Sequence, residues 1–464
     1  MRFIFFAIVF LSLLIVIAIF GVVIAAVFTR FPESILPVWL EIPIAIALGW
    51  AVYKKSANVI LSTIVAVATM YLTVGLGAYI ESVSPGLLAL PECSWLPPTT
   101  GLWVIILLIY AWVASTLPVT TLLQPRDYIN AWQLFIAMAL LVGGTVVASL
   151  TGKLPLVAPA INPSLPTNTP PIWPFMFVII ACGAISGFHS LVASGTTAKQ
   201  VAKEPDCQFV GYGSMLLEGF LAVLVIICVA AGVAMAVKLD NETILTGQAA
   251  WQHQYSSWLG AKGMGLSDKI APVVIGAANI MGTLGLPETV GITLMGVFIA
   301  SFAGTTLDTS VRIQRYVISE LATDLRIPFL ANRWAATTFA VLTAAALAFA
   351  TGADGTGAMK LWPLFGTSNQ LLAALALLVV TLYLKRKGGF KFIVTAVPCL
   401  IMLVITNWAM VKNETIFLAD KNWLLVTIGA GIFALALWMT VEAFMAFFSV
   451  THSTEPPQKA VASI

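Results

Sequence analysis

The sequence predicts an all-α fold, a polytopic membrane helix bundle of about twelve transmembrane helices. Three observations lead there. Of the 464 residues, 60% are hydrophobic and only 9% charged, whereas a soluble domain carries about 25% charged residues to cover its surface. A bilayer lifts that need, because lipid-facing helix surfaces are apolar. Second, the apolar residues come in runs of about 20, the length that crosses a hydrocarbon core. Third, the lysines and arginines between the runs fall unevenly on alternate sides.

The first run, 3–28, is too long for the roughly 7–15-residue apolar core of a signal peptide, so it reads as a retained span. Runs at 36–53, 57–80, 101–123 and 131–150 follow. Leu117-Pro118 and the stretch 124–128 (QPRDY) mark a cytoplasmic helix end, where Arg126 and Asp127 tie loops together. Further runs lie at 172–195, 209–237, 287–307, 334–350, 361–384, 392–411 and 423–449. The apolar stretch 270–286 is interrupted by Pro272, Gly276, Asn279, Gly282 and Gly285. It fits either a re-entrant or broken helix or a short interfacial one. Residues 1–449 thus make up the transmembrane region and 450–464 a polar cytoplasmic tail.

With the N-terminus in the cytoplasm, 15 of the 23 basic residues fall inside and 8 outside, the direction that the positive-inside rule demands. Arg126, Arg312 and Arg315 count among the inner ones. So does the cluster Lys385, Arg386, Lys387 and Lys391, directly after an apolar run. Both termini are then cytoplasmic. The longer loops 81–100, 151–171 and 238–269 lie outside, with Trp95, Trp251 and Trp258 as interfacial anchors. A net charge of +3 without a long basic run argues against nucleic-acid binding. The five cysteines show no C-x-x-C spacing, so neither a metal nor a redox cofactor is indicated. Cys182, Cys228 and Cys399 read as packing residues. His253 and His452 fall outside the runs, and no hydrolase, kinase or haem motif is present, so no enzyme is expected.

Polar side chains inside apolar spans are costly and mark pathways or substrate contacts by default. Four clusters stand out. In 181–197 (ACGAISGFHSLVASGTT), Gly183 and Gly187 form a G-x-x-x-G that admits a neighbouring helix. Ser186, His189, Ser190, Ser194, Gly195, Thr196 and Thr197 can unwind the helix there and offer backbone groups to a substrate or ion. His189 is a candidate proton carrier; the competing reading is a histidine that joins two helices, with the glycines serving packing. In 211–218 (GYGSMLLE), Glu218 precedes an entirely apolar run. Proton coupling and a structural hydrogen bond to a neighbouring helix both fit it. In 305–315, Asp308 and Arg312 are spaced i,i+4 and can pair along one helix face. Asp308 either binds a cation or proton or closes the cytoplasmic end with that salt bridge. In 361–370, Pro363 and Gly366 open a helix on which Thr367, Ser368, Asn369 and Gln370 present hydrogen-bonding groups. A substrate site and a helix–helix polar clamp both fit.

At these same stretches the sequence resembles the carbon starvation protein A (CstA) family. The matching segments are 117–128 (LPVTTLLQPRDY), 181–199 (ACGAISGFHSLVASGTTAK), 211–218, 308–315 and 361–372 (LWPLFGTSNQLL). The resemblance implies an inner-membrane secondary transporter, related to the class with inverted five-helix repeats. It implies uptake of small peptides or pyruvate-like carboxylates under carbon starvation, coupled to protons. The expected substrate-contacting residues are Ser186, His189, Ser190, Ser194, Gly195, Thr196, Asn369 and Gln370, and those expected in coupling are His189, Glu218 and Asp308. Family members usually begin with extra helices carrying a Gly-His-His-Phe stretch, and Met1 starts within the family's pattern, so about three helices of it lie outside this sequence. The rival expectations are therefore a non-transporting membrane nutrient sensor, and an inactive or partner fragment of a split transporter. The expected partners are a small-molecule substrate, the proton, the bilayer, and either a second copy or a separately encoded N-terminal piece.

Overall fold

This computed structural model describes residues 2–91, 96–162, 165, 169–239, 243–256 and 266–449. Trp95, Trp258 and the 450–464 tail lie outside the described residues. The chain begins with α1 (Arg2–Arg30), α2 (Ile35–Lys55), α3 (Val59–Val83), α4 (Thr99–Thr116) and α5 (Leu123–Leu150). A broken segment follows, α6 (Phe177–Ala184) and α7 (Gly187–Gly195). Next come α8 (Asp206–Gln208), α9 (Ser214–Ile227) and α10 (Val233–Met235), which run on through π-helical turns as one span, Asp206–Met235. The strands β1 (Val237–Lys238) and β2 (Ile244–Leu245) form a short antiparallel ribbon. The remainder is α11 (Gly247–Tyr255), α12 (Leu266–Gly282), α13 (Glu288–Asp324), α14 (Pro328–Ala331), α15 (Arg333–Ala348), α16 (Trp362–Arg386), α17 (Ile393–Ala419) and α18 (Trp423–Ser449).

Among the described residues, eleven helical segments are long and apolar enough to cross a membrane. The fold is therefore an all-α polytopic helix bundle. The remaining predicted run, 334–350, corresponds to α15, whose 16 residues fall short of the usual span. Two compact units make up the chain.

One unit holds Leu14–Thr169 and Val201–Lys360. Its centre is α13, 37 residues long and therefore about 55 Å, against which α2, α3, α4, α5, α12 and α15 pack. Asn58 starts α3 by capping it, its side-chain oxygen accepting from the Leu61 amide at 3.1 Å. The stretch 270–286 is continuous helix up to Gly282, not a broken one. Its interruptions have other uses. Pro272 cannot donate to the carbonyl four residues back, and that carbonyl, of Asp268, accepts from Gln254 Nε2 at 3.2 Å instead. A Cβ on Gly276 would lie 2.1 Å from the Cys228 carbonyl oxygen, so glycine is what lets α12 touch the backbone of the Asp206–Met235 span. Asn279 Nδ2 then donates to the carbonyls of Gly232 and Ala236, at 2.9 and 2.7 Å. These belong to the end of that span, where helical donors run out.

The other unit holds Met1–Leu13, Pro170–Gln200 and the chain from Leu361 onward. Here α16 is central, with α6, α7, α17 and α18 packed on it. Pro363 in its first turn suits a position where an amide hydrogen would lack a partner. The Pro363 carbonyl and the Thr367 hydroxyl both accept from Asn413 Nδ2 of α17, at 3.1 and 3.2 Å.

Candidate functional site

Within the unit centred on α16, the run 172–195 does not form one helix. It stops at Ala184 and resumes at Gly187, with Ile185 (φ −137°, ψ 91°) and Ser186 (φ −110°, ψ 136°) extended between. Two glycines, each about 1 kcal/mol worse than alanine in a helix, flank the break. A break in apolar surroundings frees carbonyls at one helix end and amides at the next. Asn369 of α16 meets the amide side of this break. Its Oδ1 accepts from the Phe188 amide at 2.9 Å, and its Nδ2 donates to Ser186 Oγ at 2.9 Å and to Cys182 Sγ at 3.2 Å. Gln370 Nε2 donates to the Val178 carbonyl at 3.3 Å. Gly187 is required by proximity, since a Cβ there would sit 2.4 Å from the Asn369 carbonyl oxygen and 2.8 Å from the Ala373 amide nitrogen.

Of the predicted substrate residues, Ser186, Asn369 and Gln370 thus come together, in contacts that form a polar clamp on the broken helix. Ser190 and Ser194 turn back onto their own helix, donating to the carbonyls of Gly187 and Leu191 at 2.6 and 3.3 Å. Gly195 ends α7 and Thr196 is buried just beyond it. His189 is exposed on the surface of the chain.

Loss of the Asn369 side chain leaves the Phe188 amide without its acceptor and Ser186 without its donor. Asn369→Ala is expected to lower stability by about 1–3 kcal/mol, read as an earlier midpoint in reversible SDS unfolding. A midpoint equal to wild type would show that the clamp contributes nothing.

Within the unit centred on α13, a second polar cluster is buried. Asp308, 2% exposed, forms its ion pair with Arg126 of α5, Oδ2 to Nη2 at 2.7 Å. The pairing predicted along one helix face is not the one made: Arg312 instead puts Nη1 and Nη2 on the carbonyls of Leu117 and Ala114, at 3.0 and 3.1 Å. A guanidinium with five donors satisfies the carbonyls where α4 ends better than it could share one carboxylate. Arg315 likewise donates to the Ser115 carbonyl at 3.2 Å. Arg126 and Asp127 do not tie loops, because both lie inside the first turns of α5. Tyr110 of α4 completes the pair, accepting from Arg126 Nη1 and donating to Asp308 Oδ2 at 3.4 Å.

Beside it, Asn130 Nδ2 donates to Thr305 Oγ1 at 3.0 Å, and Ser301 Oγ donates to Glu41 Oε2 of α2. Glu41 is 1% exposed. Glu41, Tyr110, Arg126 and Ser301 line a cavity of about 30 Å³, room for one or two waters. Neither Glu41 nor Tyr110 is among the candidates drawn from the polar clusters above. Glu41 carried a usable signal, a lone carboxylate within the apolar run 36–53, which is the signal that singled out Glu218. Glu218 itself is exposed on the surface of α9 in this unit.

A bundle of apolar spans with a discontinuous helix in one unit and a buried ion-pair cluster in the other is the architecture of a multi-pass membrane protein. The chain belongs to the carbon starvation protein CstA family, which matches it over residues 1–409. It is similar to a peptide transporter CstA of Helicobacter pylori strain J99, 30% identical over 423 residues, covering 84% of this chain and 60% of that protein. A peptide transporter CstA of Mycobacterium tuberculosis H37Rv is 30% identical over 459 residues, covering 88% and 58%. A pyruvate/proton symporter BtsT of Escherichia coli K12 is 29% identical over 463 residues, covering 86% and 62%. The chain thus spans about 60% of the length of these curated relatives. No solved structure matches it significantly.

Proposed function

We propose that this chain is a secondary active transporter, a proton-coupled uptake carrier for small peptides or pyruvate-like carboxylates. The observation that carries the reading is the helix break at Ile185–Ser186 inside an apolar span. Non-helical backbone at membrane depth is tolerated where protein buries it or where it lines a cavity, and carriers place substrates at such breaks. Peptides and pyruvate share a carboxylate. The N-terminal end of α7 carries partial positive charge and suits that group, with Ser186 and Ser190 as hydroxyl contacts there and Thr196 as one past the other end of the helix. Ser194 and Gly195 continue the same short helix. Asn369 and Gln370 hold the break open from α16. His189, on the first turn of α7, is the candidate to contact substrate and carry a proton, with Glu218 and Asp308 as further coupling candidates. The names of the relatives support the class of solute and the coupling ion.

The reading puts both termini in the cytoplasm, with the chain in the inner membrane; it requires the 16-residue α15 to serve as a short twelfth crossing, because eleven crossings would leave the termini on opposite sides. Burial of Arg126, Arg312 and Arg315 removes three inner cations from the positive-inside count, and twelve against eight still favour that direction.

The test is uptake of labelled dipeptide and of labelled pyruvate into vesicles under an imposed proton gradient. Uptake is expected to collapse with the gradient, and His189→Ala and Glu218→Gln are expected to lose most of the gradient-driven component. Uptake unchanged by collapse of the gradient, or by both substitutions, would sink the coupling assignment.

A further inference from the structure

Glu41 stands apart from the other buried charges. It lies mid-way along α2 and is 1% exposed. Its Oε2 accepts from the Ser301 hydroxyl of α13, while Oε1 has no hydrogen-bond partner among the described residues. The carboxyl lines the 30 Å³ cavity, whose wall is otherwise made mostly of apolar side chains such as Ile24, Phe28 and Leu107. A carboxylate in such a place, with one hydroxyl donor and no ion pair, keeps most of its desolvation cost. The nearby cation relieves it only in part, because Arg126 has its two terminal nitrogens on Tyr110 and Asp308.

The charged and titratable groups around Glu41 come from each element packed on it. Helix α4 contributes Tyr110, α5 contributes Arg126 and Asp127, and α13 contributes Asp308 together with the Ser301 hydroxyl. Tyr71 of α3 packs one turn further along α2, against the cluster of Ala45 and Leu48. Arg126 therefore faces three carboxyls, Glu41, Asp127 and Asp308, and its ion pair is with Asp308, on which the Arg312 guanidinium also acts. A neutral Glu41 brings the cluster closer to charge balance, and it turns Oε1 from an orphaned acceptor into a donor on a residue that borders a space of water size.

We propose that the Glu41 carboxyl is a proton-binding site of this chain, loaded as the neutral acid in the conformation described here, with the cavity beside it as the place where the proton is exchanged. The step is a single protonation: the carboxylate gains one proton on Oε1, and the same proton leaves to water when the site opens. Arg126 borders the cavity too, so it is the cation to which a deprotonated Glu41 would turn. That this proton drives solute movement rests on the transporter reading above; that Glu41 holds one does not.

The experiment is infrared difference spectroscopy on the full chain in lipid vesicles, with protons as the ligand titrated. A C=O stretch of a protonated carboxyl is expected at neutral pH, bleaching as pH rises and absent in Glu41→Gln, the isosteric mimic of the loaded state. In Ser301→Ala, which keeps the carboxyl, the band is expected to move to higher frequency, because its carbonyl loses the Ser301 hydrogen bond. A band that Glu41→Gln retains, no band at any pH, or a band that Ser301→Ala leaves unmoved would overturn the assignment. In the same vesicles, Glu41→Gln is expected to lose gradient-driven accumulation of pyruvate or dipeptide while still exchanging labelled for unlabelled solute. If wild type moves neither solute but the band behaves as described, the transporter reading fails and the proton site stands.

Discussion

Arg126→Met is expected to destabilise the chain by about 3–5 kcal/mol, the range for breaking a buried ion pair from one side. The cause is what remains behind. Asp308 is 2% exposed, and without the guanidinium its carboxylate keeps the Tyr110 hydroxyl at 3.4 Å and the Thr309 hydroxyl at 3.5 Å. Neither carries a compensating charge. The double variant Arg126→Met with Asp308→Leu is expected to recover most of the loss, since both charges leave together and similar volume fills the site. Folded yield from membranes and the midpoint of reversible SDS unfolding read both effects. A single variant as stable as wild type would mean that the pair is solvated in a way its burial denies.

The second large effect belongs to Gly187→Val. A Cβ at this position meets three atoms that cannot swing aside: the Asn369 carbonyl oxygen at 2.4 Å, Leu372 Cβ at 2.6 Å and the Ala373 amide nitrogen at 2.8 Å. Helix α7 must then move off α16, at about 1–3 kcal/mol for overpacking, and the bond from the Phe188 amide to Asn369 is lost with the contact. Stability and uptake should fall together. Gly219→Ala serves as the control: a Cβ at Gly219 meets nothing within 4 Å, and alanine is about 1 kcal/mol better than glycine in a helix. Equal behaviour of the two variants would show that the close approach of α7 to α16 is dispensable.

Hydropathy found the helices because a span is read by what faces lipid, and it missed their ends wherever protein covers polar side chains. The run 287–307 is the apolar first half of α13. The helix continues to Asp324, since Asp308, Arg312 and Arg315 are buried and their cost is met by α5 and by the carbonyls at the end of α4. The same reason hid the start of α5, where Gln124-Pro-Arg-Asp looks like a loop and is helix. Local spacing also misled at Asp308. An i,i+4 arginine was available at Arg312, and the partner used comes from another helix. Conversely, small and hydroxylated residues around Ser186 pointed correctly to a break, because nothing there favours helix enough to bridge it. That Asn369 would be the side chain to hold it open was one of two readings that the sequence left standing.

The Arg126–Asp308 pair has a consequence for how the protein is made. The two residues are 182 positions apart, so at about 5–20 residues per second the ribosome reaches Asp308 on the order of 10–40 s after Arg126. For that interval α5 has left the ribosome while its eventual counter-charge does not yet exist. Arg126 is the fourth residue of α5, near enough to the helix end for its side chain to reach the headgroup layer. There it can wait, hydrated, until α13 is delivered. A guanidinium placed at the middle of the same helix would face bare lipid during that wait, at about 2.5–3.5 kcal/mol by insertion scales. The position of the arginine along its helix is thus as much a condition for synthesis as for the finished fold.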